Sequence, residues 1–422
     1  MLAGFAEIDI TPPPGEELTG YGYFLERHAQ GTLDPLFGRA VALSDGEARA
    51  VLVQLDLLGL PRWLVEEVRA RAERELGLPP AHLMLHCTHT HSGPATMPLY
   101  GCGTPSEQFP AALIPQVLTL VSQALADLKP VTASERFEGD FPDGFAGNRV
   151  GLPDLDTRVR GVRFQMAAGA PILLFSYACH PVVLGINREY SADYPAYAIR
   201  ELNAYGLRAL FLNGPCGDVD PLSNRYRWGA GTQETLRLYG HDLAGVVRRA
   251  LLQATEAPAS PLRACSRRIP LPMAMPDAAA VLEASLAKAR AAAQRHPEDG
   301  PRQVDVMWHE RMLELYAAGT LDDAMRAEVQ AIACGGMVFV GLSGEIFTRL
   351  GQMIRAGAPG HHVLVANTCN AVLGYISTHE DVEAGGYASL GSCKLYGMPL
   401  PTPDAGERWA AEGAGMLREL LA

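Results

Sequence analysis

The chain has 422 residues, 48% of them hydrophobic and 19% charged, with a formal net charge of −12. This is the composition of a chain that buries a sizeable core, and its acidity argues against nucleic acid or an anionic membrane as a partner, since both need basic surface. No unbroken apolar run reaches the roughly 18 to 20 residues that span a bilayer, and MLAGFAEIDITPPPGEE lacks the basic start and apolar core of an export signal. The expected location is therefore cytoplasmic, with eight cysteines, none in CxxC spacing, reduced and mostly buried.

In chain order, AEIDI predicts a short strand closed by a proline turn. Three later segments share one outline: FGRAVALSDGEARAVLVQLDLLG (37–59), VRGVRFQMAAGAPILLFSYACHP (159–181) and VQAIACGGMVFVGLSGEIF (329–347). Each reads as strand, tight turn, strand, with SDGEA, AAGA and CGG as the turns. Each second strand runs out at a potential ligand or acid–base residue: Asp56, His180 and Glu345. Residues 61–76 predict a helix with proline at its start and Gly77 as its stop. Helical periodicity also marks 109–127, 194–205, 232–253 and 404–421. The alanine-rich, charged stretch 276–326, broken at HPEDGP, predicts a helical hairpin without a chemical motif, a solvated face or the contact of a homo-oligomer. The expected architecture is α/β (mixed α+β), with mixed sheets flanked by helices in a single unit, 1–422.

The chemistry-bearing residues begin at HCTHTHSGP. LMLHC reads as a buried strand, and alternate side chains of a strand face the same way. His89 and His91 are thus expected side by side at its end, while His86 stays behind as a core residue. Such a pair can share a metal, or one can bind while the other moves protons; it can also be two surface histidines. YACHPVVLG places His180 where an apolar strand stops, as a ligand or a satisfied core histidine. GLSGEIF places Glu345 at a glycine turn, as a ligand or as a helix-start carboxylate. VLGYISTHEDVEAGGY adds Tyr375 and Tyr387.

In order and spacing these motifs resemble the catalytic domain of the neutral, non-lysosomal ceramidases, zinc-dependent amidases that cleave an N-acyl bond. The resemblance runs from DITPP through THTHSGP, NR (148–149), CHP, S-x-D (191–193) and GDVDP to GE and GYIST, about residues 5 to 390. It implies one Zn²⁺ held by His89, His180, Glu345 and Tyr375, with His91, Arg149 and Tyr387 lining the reacting centre. The ceramidases carry a serine after GDV, and here that position is Asp220. An aspartate supplies no hydroxyl there, so the expected mechanism is attack by water rather than by a serine, with Asp220 as a base, a contact to a substrate ammonium or hydroxyl, or a turn residue before Pro221. Asp218 is expected to hold the loop, and INREYSAD (186–193) to lie near the metal. With little sequence after GYIST, the further C-terminal domain of full-length ceramidases is expected to be missing. The expected activity is zinc-dependent hydrolysis of a small soluble N-acyl amine rather than ceramide. The alternatives are hydrolysis or elimination on an ester, lactone or sugar derivative, and a zinc-containing binding protein without catalysis.

Overall fold

The three hairpins of the sequence become three copies of a strand–strand–helix–strand unit in the computed structural model, which describes residues 1–141, 145–276 and 278–422. In the first, Phe37–Ser44 pairs antiparallel with Arg49–Leu55, the helix Arg62–Leu76 crosses over, and Leu83–Cys87 returns parallel to Arg49–Leu55. The second runs Arg158–Met166, Ile172–Tyr177, helix Asp193–Ala204 and Arg208–Asn213. The third runs Ala324–Cys334, Met337–Leu342, helix Thr348–Arg355 and His362–Ala366. Local chemistry sets the corners. Asp45 accepts the Glu47 and Ala48 amides in the first turn, and Gly77, at φ 62, closes the first helix on the Ala72 and Glu73 carbonyls.

The first two units join in one nine-stranded sheet through Leu2–Asp9 and Lys129–Asp140, with Thr255–Glu256 pairing off the main path. The third unit, with Arg263–Pro272, forms a four-stranded sheet. The sheets lie face to face: Leu43, Leu52, Leu174 and Leu212 of the first meet Ile332, Phe339 and Leu364 of the second. Strands such as Arg49–Leu55 are therefore buried on both sides and read as continuous apolar runs rather than alternating ones. Helices Arg62–Leu76 and Gln108–Ala126 cover one half of the large sheet's outer face. Asp193–Ala204 and Gln233–Leu251 cover the other half, and Thr348–Arg355 with Ala405–Leu421 cover the small sheet.

Two expectations change. Gln108–Ala126, 19 residues long, is apolar enough by length and composition to cross a membrane. Scattered Gln, Ser and Thr hide it from a search for unbroken runs, and its Leu113, Val117, Leu120 and Val121 pack into the core. The stretch 276–326, whose Asp277 lies outside the described residues, forms helices Ala279–Arg295 and Gly300–Ala317 but already enters a strand at Ala324. Its second helix is not a plain solvated face. Val304 packs on Leu58, Met97 and Leu395, and the Trp308 indole donates to the Met398 carbonyl at 2.6 Å.

Candidate metal centre and cavity

The site forms where strands of all three units end. The strand predicted to carry His89 and His91 stops at Cys87, and His89 takes a left-handed backbone, φ 72. That turn, rather than strand alternation, brings the two imidazoles to a centroid separation of 4.9 Å. His180 follows Ile172–Tyr177, and its ring lies 5.0 Å from that of His89. Glu345 does not start a helix; it opens a two-residue strand paired parallel with Tyr375. Asp56, the remaining strand-end residue, stays out of the site, bonded to Arg39, Gln54 and the Phe37 amide.

Backbone carbonyls fix all three rings. His89 Nδ1 lies 2.8 Å from the Leu58 oxygen, His91 Nδ1 2.8 Å from that of Gly20, and His180 Nδ1 2.7 Å from that of Cys216. A carbonyl only accepts, so each Nδ1 carries the hydrogen and each Nε2 a lone pair. Those ring nitrogens lie within 4.8 Å of one another. Glu345 Oε2 sits 3.0 Å from His180 Nε2 and 3.1 Å from His89 Nε2. The contact with His89 closes no hydrogen bond, and His89 and His91 Nε2 are buried without partners among the described residues. Lone pairs facing a carboxylate at these distances repel unless a cation sits between them. Three imidazole nitrogens and a carboxylate oxygen fit a zinc-class ion.

Tyr375 stands at the edge of this cluster. Its hydroxyl accepts from Arg149 Nη2 at 2.6 Å and lies 3.5 Å from His180 Nε2. Burial, partly offset by Arg149, keeps the phenol protonated. The resemblance assigns Tyr375 to the metal and His91 to the reacting centre; the geometry groups His91 with the other two histidines and also turns it to the cavity. Burial, with His89 and His180 beside it, pushes the His91 imidazole well below its usual value.

A cavity of about 500 Å³ opens over the cluster, lined by His91, His180, Arg149, Asp220, Tyr375 and Tyr387 among others. Arg149 is held by the Gly217 carbonyl at 2.8 Å, with Tyr375 and Tyr387 flanking its guanidinium. Asp220 lies 3.4 Å from Arg149 Nη1, on the short strand Val219–Pro221. Asp218 behaves as expected, accepting from the Thr348 amide and hydroxyl and from Asn148. Within INREYSAD, Asn187 donates to Ser92 Oγ at 2.7 Å, supporting the turn after His91. His86 is a core residue, its Nε2 accepting from the Asn213 amide and its pKa lowered to about 3 by burial. Of the eight cysteines, all free, seven are buried. Cys102 reaches the cavity, its thiol pushed to about 11 by burial.

Two contributors escape sequence reasoning. The Tyr396 hydroxyl donates to Glu345 Oε1 at 2.6 Å, turning Oε2 toward the histidines. No pattern distinguishes KLYG from any helix end. Gly20 supplies the carbonyl that fixes His91, and at φ 99 it lies so close that a Cβ would come within 2.6 Å of the imidazole. Its signal is the run TGYGY, where two glycines interleave with aromatics.

No family model matches the sequence, and no curated relative does. Solved structures do match. The chain is similar to neutral ceramidase from Pseudomonas aeruginosa, at 19% identity over 99% of this chain and 74% of that one, TM-score 0.75. It is also similar to a ceramidase complexed with C2, at 17% identity over 99% and 74%, TM-score 0.73. The fold is ceramidase-like, as the motifs imply.

Proposed function

We propose that this chain is a metal-dependent hydrolase, zinc being the ion its donors suit, that cleaves a small amide with water as the nucleophile. The observation that carries the reading is the set of three Nε2 lone pairs and the Glu345 carboxylate converging at the cavity floor. A zinc-class ion bound there supplies Lewis acidity and a water activated near neutral pH. The protein's own residues do the rest. Arg149, fixed by Gly217 and Tyr375, places a permanent cation on the wall, where it faces charge developing on the amide oxygen. His91, anchored through Nδ1, would give its Nε2 to the ion, so the proton that the attacking water loses passes to the departing nitrogen without His91 as its carrier. Tyr387, half-exposed at the rim, adds a hydroxyl near the scissile group. Asp220 has no hydroxyl to attack with, so no acyl-enzyme forms there. A cavity of about 500 Å³ suits a compact substrate. The test is amine release from a panel of soluble N-acyl amines and ceramide, with metal-loaded and metal-stripped protein. Metal-dependent release from a small amide is expected. Silence across the panel, with metal bound, overturns the reading.

A further inference from the structure

We infer that the amine half of the substrate is a hydroxyl-bearing ring, an amino sugar, read by Asp220, Asn224, Tyr21 and Trp228; this deepens the amidase reading and rests on it. The four residues line one cavity. Asp220 is buried, yet the contacts to its two oxygens are long: Arg149 Nη1 at 3.4 Å on one and Asn224 Nδ2 at 3.4 Å on the other. An ionised carboxylate has about four acceptor positions, so this one has capacity for hydroxyl donors from a ligand. Asn224 is oriented, because its Oδ1 accepts the Gly229 amide at 2.8 Å and its Nδ2 is thereby turned toward Asp220. The Tyr21 hydroxyl is buried and nears the Gly185 backbone without closing a hydrogen bond to any described residue. Trp228 leaves 58% of its surface exposed at the mouth, edge-on to Tyr21 at 6.0 Å.

Three ligand classes compete for this wall, and charge and solvation decide between them. An ammonium on Asp220 would sit beside Arg149, which already balances that carboxylate, so the second cation is repelled. A plain hydrocarbon would cover Asp220 and the Tyr21 hydroxyl without giving either a partner, leaving both polar groups buried and unsatisfied. A neutral polyol ring satisfies both. Its hydroxyls donate to Asp220 and exchange hydrogen bonds with Asn224 and Tyr21, while its C–H face packs on the exposed indole. In the reaction the C–N bond breaks, the acyl carbon gains the water's hydroxyl and the nitrogen gains its proton, giving a carboxylic acid and a free amino sugar.

The test uses the metal-loaded 422-residue chain and two ligand pairs of equal ring size that differ chiefly in their ring oxygen and hydroxyls. Rates are compared for an N-acetylhexosamine and N-cyclohexylacetamide, and calorimetric binding for the free hexosamine and cyclohexylamine. We expect kcat/KM to favour the hexosamide by about 10²-fold or more. Hexosamine binding should weaken at least tenfold in Asp220→Ala and in Trp228→Ala, the latter at a surface position that does not endanger folding. Equal treatment of the two rings, or hexosamine binding that both variants leave untouched, overturns the inference, and cleavage of the cyclohexyl amide would then leave the amidase reading standing. Hexosamine binding that depends on Asp220 and Trp228, with no amide cleaved, supports an amino-sugar site at this wall but sinks the amidase reading, and with it the amine half of an amide as that site's ligand.

Discussion

Three imidazoles whose Nδ1 atoms are held by carbonyls of Leu58, Gly20 and Cys216 have little freedom left, and that is why their lone pairs converge. The carboxylate among them is equally constrained by Tyr396. Tyr396→Phe should weaken metal affinity about 10- to 100-fold, as loss of an outer-shell partner does, read by competition against a chelator. The melting temperature of the metal-free variant should barely move; an unchanged affinity would make the bond incidental. A second residue-scale prediction concerns Asp34, which bonds the Ser191 hydroxyl and the Ala192 amide beneath the site. Burial, opposed by those bonds, raises its pKa from 3.8 to about 6. A raised acid contributes fully below its unfolded value, and that contribution is lost as pH climbs through about 6. Asp34→Asn cannot ionise, so its melting temperature relative to wild type should rise between about pH 4 and about pH 7.5. An identical offset at both values would show the carboxylate ionised throughout. His86 and His180 stood out in the sequence because each sits at or beside an apolar strand end, and Asp218 because it lies in the GDVDP motif. Tyr396 and Gly20 were not, because a second-layer contact leaves no periodicity.

At the scale of elements, each strand–strand–helix–strand unit delivers its chemistry at the ends of its parallel strands, where side chains leave the sheet for a crevice. The hairpins and crossover helices were readable from turn chemistry, caps and apolar runs. The left-handed turn at His89 was not, since neither its neighbours nor its residue type demand a positive φ. One inter-element contact carries unusual weight. Arg69, on the first crossover helix, bonds both oxygens of Glu328 on the small sheet, at 2.8 and 3.0 Å. Ser266 and Asn370 complete the carboxylate's partners. Both side chains are under one-tenth exposed. Glu328→Ala should cost about 3 to 5 kcal/mol, because it leaves a buried guanidinium unpaired, and Arg69→Leu combined with Glu328→Leu should recover much of that loss. Denaturant unfolding measures both; a double variant as unstable as the single one would refute the unpaired-charge account.

Across the whole molecule, the candidate metal donors come from all three units, His89 and His91 from the first, His180 from the second and Glu345 from the third. Only the folded chain collects them, so an ion held there would tie the entire structure together. Stripping the ion should lower the temperature of the main unfolding transition, by about 2.7 kcal/mol of stability for each hundredfold excess of free ion over Kd. Calorimetry that showed only a separate minor transition shifting would contradict this. The cation-charged cavity wall, the Tyr396–Glu345 bond and the packing of Gly300–Ala317 behind the mouth are likewise products of assembly. By itself, the sequence determined the strand and helix types, the three-fold recurrence of the hairpin outline and the residues capable of holding a metal, because these rest on local turn chemistry, burial patterns and donor chemistry. The tertiary structure alone decided which donors meet, that His91 joins the cluster and Asp56 does not, and which polar groups are left for a substrate. Those outcomes depend on distances between segments hundreds of residues apart, and no local pattern encodes such distances.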